Sequence, residues 1–125
     1  MKTCIDVDAL GKGGPYSHSV KANGFVFVSG NVPIDPDSGE HVKGDIPRAT
    51  QIILKNIETI LKAAGSDLTQ VVKTTVFLTD MANFSTMNET YGKFFSENPP
   101  ARSCVAVKQL PLDFDIEIEV IALAE

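Results

Sequence analysis

From Phe114 onward the chain alternates with period two: Phe114, Ile116, Ile118 and Val120 are apolar, and Asp115, Glu117 and Glu119 between them are acidic. Successive side chains of a strand point to opposite faces, so this pattern predicts a strand from Phe114 to Ala122 with one face in a core and the other facing polar surroundings. Such a strand needs partners beside it and a layer over its apolar face. Three upstream stretches can be partners. Ser17 to Val28 reads as a hairpin turning at Asn23-Gly24, a dipeptide that tolerates the positive φ angles of a type I′ turn. Val71 to Leu78 is a β-branched run, and Arg102 to Val107 a shorter one. Phe25-Val26-Phe27-Val28 is apolar at every position, which predicts cover on both of its faces. Ser29-Gly30-Asn31 closes that arm, and the Pro, Asp and Gly of residues 32–39 predict a loop.

The covering layer is legible as two helices. Asp45 is placed as an N-cap, with Pro47 in the first turn where its missing N–H costs no hydrogen bond. Ala49, Ile53, Ile57, Ile60 and Ala64, with Ile46, Ile52 and Leu61, recur at three- and four-residue steps, and Gly65 supplies a left-handed stop. Asp80 or Asn83 is expected to cap a second helix carrying the stripe Phe84, Met87, Tyr91, Phe94 and Phe95, which Pro99-Pro100 ends. The order β-β-α-β-α-β-β predicts an α+β fold, a mixed sheet with both helices packed on one face. At 125 residues, with no repeat or linker, residues 1–125 are expected to form a single domain.

Composition narrows the function. Sixteen acidic against eleven basic residues give a net charge of -5, and the lysines and arginines are scattered, so a nucleic acid partner is disfavoured. No apolar run approaches the ~20 residues of a membrane span, and the first residues resemble neither a secretory signal nor a transit peptide. Two cysteines a hundred positions apart fit a reducing compartment, so a cytoplasmic location is expected, with a mitochondrial copy left open. With only His18 and His41, and no ligand spacing between them, no metal site is expected. His18 reads as a solvated hairpin residue and His41 as a loop residue. Gly11-Lys12-Gly13-Gly14 lacks the spacing of a phosphate loop and reads as a bend before Pro15-Tyr16.

Arg102 opens a strand, and alternation puts it on one face with Cys104 and Ala106. A guanidinium on a strand is a rigid, two-pronged donor matched to a carboxylate. The residues alone leave two roles open, a ligand anchor or an ion pair with Glu117 or Glu119. Cys104 is either a small buried strand residue or a thiol whose pKa the neighbouring cation lowers.

Taken in order, Gly14-Pro15-Tyr16-Ser17, Phe25-Val26-Phe27-Val28-Ser29-Gly30, Val72-Lys73-Thr74-Thr75-Val76-Phe77-Leu78, Pro100-Ala101-Arg102-Ser103-Cys104-Val105 and Ile116-Glu117-Ile118-Glu119 resemble the RidA/YjgF family from about Gly14 to the C-terminus. The resemblance implies a chorismate-mutase-like, ferredoxin-like fold assembled as a homotrimer with sites in the clefts between subunits. It implies hydrolysis of short 2-imino or enamine acids to 2-keto acids and ammonia, without a cofactor. Arg102 would bind the substrate carboxylate and Glu117 position the attacking water. Ser29, Gly30 and Cys104 would contact substrate or water, and Tyr16 and Asn88 would line the pocket. Asn31 stands where glutamine is common in the family. Two rival activities follow from the same resemblance: a single-stranded RNA endoribonuclease acting as a translation inhibitor, and a non-catalytic keto-acid-binding or chaperone-like trimer.

Overall fold

Asn23 and Gly24 take φ values of 51° and 80°, the pair of positive angles a tight hairpin turn demands. They join β2 (Ser19–Ala22) to β3 (Phe25–Asn31) in an antiparallel pair. In this computed structural model, which describes residues 1–124, the hairpin is one part of a six-stranded mixed sheet. The other strands are β1 (Thr3–Ile5), β4 (Val71–Leu78), β5 (Ala101–Ala106) and β6 (Ile116–Leu123), and the order across the sheet is β1-β2-β3-β6-β4-β5. All pairings are antiparallel except β4 with β5, the parallel edge. Strand β1 was not legible in the sequence: three mostly exposed residues carry no periodicity, and only the ladder to β2 defines it. Strand β3 also runs past Val28 to Asn31, through an irregularity in its register with β6.

Helix α1 (Ile46–Ala63) begins where expected. The Asp45 carboxylate accepts the Arg48 N–H at 3.2 Å, and Pro47 lies in the first turn. It ends at Gly65, whose φ of 79° lets Ser66 N–H reach back to the Leu61 carbonyl at 2.8 Å. Helix α2 (Phe84–Phe94) is entered differently from the expectation. Asp80 caps a single 3-10 turn at Met81–Asn83 by accepting the Ala82 N–H, and Asn83 makes no side-chain cap bond. Ile46, Ile53, Leu54, Ile57, Ile60 and Leu61 of α1 and Met87 and Tyr91 of α2 lie over Val26, Val28, Val76, Leu78, Ile116, Ile118 and Val120 of the sheet in one core. The two helices therefore cover one sheet face, giving the α+β arrangement.

Among the described residues no helix packs on the opposite face. Phe25 and Phe27 remain 38% and 44% exposed, and Val105 and Leu123 are exposed as well. Cover on both faces of Phe25–Val28, expected from its composition, is therefore not supplied within the chain: Val26 and Val28 enter the core, and the two phenylalanines face outward. Among the described residues no helix is long and apolar enough to cross a membrane.

Candidate functional site

On β6 the fully buried Ile116 and Ile118 point to the helices, so Glu117 between them projects from the open face. There it meets the irregular end of β3. A Cβ added to Gly30 would lie 2.6 Å from Glu117 Oε2 and 2.8 Å from its Cδ, so this carboxylate occupies space that only glycine leaves free. Glu117, Glu119, Ser29, Gly30, Asn31 and Tyr16 line part of one cavity of about 930 Å³. Burial raises the Glu117 pKa above the usual carboxylate value, and the charge of Glu119 pushes it the same way.

The wall of this cavity is the N-terminal segment, and His18 holds it in place. Far from being solvated, His18 is 6% exposed. Its Nδ1 accepts the Val7 N–H at 2.9 Å, its Nε2 lies 3.0 Å from the Gly11 carbonyl, and its own N–H donates to Asp6 Oδ1 at 2.9 Å. One ring nitrogen accepting and the other donating define a neutral imidazole with the proton on Nε2. Ser29 adds a fourth tie, its hydroxyl donating to the Ser17 carbonyl at 2.7 Å. Lys12 pairs with Asp6 at 2.8 Å, and the Gly13 N–H reaches the Tyr16 hydroxyl at 3.2 Å. The glycine-rich stretch is thus the bend the sequence implied. His41 is exposed in its loop, its ring 5.2 Å from that of Phe114.

Arg102 belongs to a second group. It sits on β5 opposite Thr74 of β4, whose side chain is fully buried on the helix side. Its Nη1 donates to Asn88 Oδ1 at 2.7 Å, and its guanidinium carbon lies 4.8 Å from the Tyr91 ring centre and 5.5 Å from that of Phe84. No ion pair of Arg102 with Glu117 or Glu119 occurs among the described residues. The sheet order explains this: β4 separates β5 from β6, and the acids project from the other face. Cys104, two residues on, shares the Arg102 face and is partly buried. Its thiol pKa is raised, because burial outweighs the opposing pull of the Arg102 charge, which favours the small buried residue over the lowered-pKa thiol of the two roles left open.

The expected site residues therefore fall into two sets within one chain. Tyr16, Ser29, Gly30 and Glu117 gather at the open-face cavity, and Asn88, Arg102 and Cys104 lie on the helix side of the far edge. Tyr91 and Thr74 were missed as site residues. Tyr91 belongs to the apolar stripe of α2 and Thr74 to a β-branched run, and nothing in those patterns distinguishes a ring that touches a cation from one that fills the core. Among the described residues no group of three or more His, Cys, Asp or Glu side chains is placed to hold a metal ion.

Residues 7–124 match the family described as Endoribonuclease L-PSP. A RutC family protein of Pyrococcus horikoshii is 53% identical over 112 residues, 90% of this chain and 89% of that protein. Reactive Intermediate Deaminase A, chloroplastic, of Arabidopsis thaliana is 49% identical over 109 residues, 87% of this chain and 58% of that protein. The crystal structure of the YjgF gene product of Escherichia coli superposes with a TM-score of 0.90 at 38% identity, covering 98% of this chain and 99% of that one.

Two outcomes follow from the packing around Glu117. Gly30→Ala is expected to cost less than about 1 kcal/mol, because the group it strikes is the far end of a flexible side chain. A crystal structure of the variant should show the carboxylate displaced from β3; an unmoved carboxylate would contradict the close fit. The raised Glu117 pKa means that the folded chain keeps a proton the unfolded chain has already released, so stability falls as pH rises through the carboxylate range. Glu117→Gln should therefore be more stable than the parent at pH 7, and chemical denaturation should find the gain gone below about pH 4. A variant less stable than the parent at pH 7 would show that burial does not penalise the charge.

Proposed function

The chain belongs to the endoribonuclease L-PSP family, the RidA/YjgF family, and from that premise we propose that it hydrolyses short 2-imino acids, with their enamine tautomers, to 2-keto acids and ammonia. The observation that carries this reading is the state of Arg102. It is oriented by a neutral amide and an aromatic face rather than neutralised by an acid, so its remaining donors can grip a carboxylate in paired, charge-assisted hydrogen bonds. The name of the Arabidopsis relative supports the same chemistry.

In this reading a substrate such as 2-iminopropionate binds through its carboxylate to Arg102, which fixes the adjacent C=N carbon at one place. Glu117 accepts a proton from water as the water oxygen bonds to that carbon and the C=N π electrons move to nitrogen, giving a carbinolamine. With the imine protonated at the start, Glu117 returns its proton to the carbinolamine amine; as the C–N bond breaks and C=O forms, the hydroxyl proton passes back to the Glu117 carboxylate and on to ammonia, releasing ammonium and the keto acid. The raised pKa of Glu117 makes its carboxylate a stronger proton acceptor than an ordinary one. A protonated imine is itself electrophilic, so the reaction needs no cofactor.

Arg102 and Glu117 project from opposite faces of one sheet, and a substrate of a few heavy atoms cannot reach both within one chain. In this reading the site lies between copies, in a homotrimer, with Arg102 from one protomer and the Glu117 cavity from the next. The exposed Phe25, Phe27 and Leu123 on neighbouring strands of the open face support such an assembly, since large apolar side chains left exposed together favour an interaction surface. A ribonuclease reading has the family description behind it, but the net charge of -5 without a basic stripe weighs against an RNA groove. A cytoplasmic location is part of this reading, supported by two free cysteines that fit a reducing compartment.

Arg102→Ala should leave the assembly intact and lower the rate of 2-aminoacrylate removal, in an assay coupled to a dehydratase that releases it, by about 100-fold or more. Removal at the parent rate would overturn the anchor assignment. Cleavage of single-stranded RNA by the parent, lost in the same variant, would transfer the site to the ribonuclease reading.

A further inference from the structure

We propose that Tyr91 is a positioning residue for substrate binding, its ring face setting the plane in which Arg102 presents its free donors. The proposal rests on the reading of Arg102 as the carboxylate anchor and adds what makes that anchor rigid. An arginine on an edge strand has four side-chain torsions and, without lateral contacts, sweeps through solvent. Here the guanidinium carbon stands 4.8 Å from the Tyr91 ring centre, within the range where the negative face of an aromatic ring attracts a cation.

That ring cannot turn aside. Its hydroxyl and Thr74 Oγ1 are 2.7 Å apart in a buried hydrogen bond, and the Phe95 ring packs against it at 4.8 Å between centres. Thr74 is also the register partner of Arg102 on the neighbouring parallel strand. The same backbone ladder therefore fixes the root of the arginine and the tether of the ring that supports it.

Asn88 completes the arrangement from one helical turn before Tyr91, taking Nη1. Nη2 and Nε make no other hydrogen bond among the described residues. A planar group held by one edge and one face leaves its remaining edge aimed in one direction. A carboxylate arriving there meets donors that have already lost their freedom, and preorganisation of this kind strengthens binding by reducing what must be ordered on association. The apolar stripe of α2 thus does two things: most of it fills the core, and one of its rings extends the order of the core to the ligand.

The decisive experiment keeps an aromatic ring at residue 91 and changes chiefly the electron density of its face. The dissociation constant for 2-oxobutyrate is measured for the parent, Arg102→Ala, Tyr91→Phe and the protein carrying 3,4,5-trifluorophenylalanine at position 91, with thermal unfolding followed for each. Tyr91→Phe should bind within ~3-fold of the parent, and fluorination should raise the dissociation constant by a further ~5-fold; in the 2-aminoacrylate assay KM should rise by a similar factor with kcat little changed. A ring that merely fills space has no reason to respond to fluorine in this way. Binding by the fluorinated protein equal to that of Tyr91→Phe, with Arg102→Ala losing binding, would overturn the role of Tyr91 and leave the anchor standing. Binding by Arg102→Ala equal to the parent would overturn the anchor itself, and this proposal with it.

Discussion

The two helices occupy one face of a single sheet, and every strand residue must therefore point either into that core or away from it. A carboxylate turned toward Ile53 and Ile57 would lose its hydration with no partner to replace it, a cost of several kcal/mol. Glu117 accordingly takes the open face while Ile116 and Ile118 take the core. Arg102 lies on the helix side, at the edge strand, where its long stem reaches past the core to Asn88 and the Tyr91 ring. The separation of cation and acid follows from the pleat of the sheet.

Each half of the site is stiffened by a different device. Around Glu117 the devices are local and backbone-based: the irregularity in β3, the missing Cβ of Gly30, and the four ties of His18 and Ser29 that hold residues 6–17 against the sheet. Around Arg102 they are aromatic and belong to the core, through Tyr91, Phe95 and the Thr74 hydroxyl. The acid is thereby held where burial favours its protonated form, and the cation where one edge and one face of its guanidinium are fixed.

Much of this organisation was legible in the sequence because it depends on short-range signals. The Asn23-Gly24 turn, the Asp45 cap, the Gly65 stop and the alternation from Ile116 to Val120 each require particular residue types at particular spacings, and all four recur in the structure. What was not legible depends on partners remote in the chain. His18 bonds to backbone groups of Val7 and Gly11, which have no residue signature, so a polar residue in a hairpin read as solvated. The possible ion pair between Arg102 and the β6 acids failed because β5 pairs only with β4, and strand order is not encoded in periodicity. Phe25 and Phe27 read as buried because composition records that a side chain seeks cover, not whether its own chain supplies it.

The most direct measurement co-expresses two variants of the chain, Arg102→Ala and Glu117→Gln, each inactive alone and carrying different tags, and assays the doubly purified and the unfractionated assemblies for imine hydrolysis. If each site takes its guanidinium from one protomer and its carboxylate from the next, an equal random mixture regains about a quarter of the parent activity, one intact site in each mixed trimer. No recovery in assemblies that demonstrably contain both variants would contradict a shared site and require both groups to act within one chain.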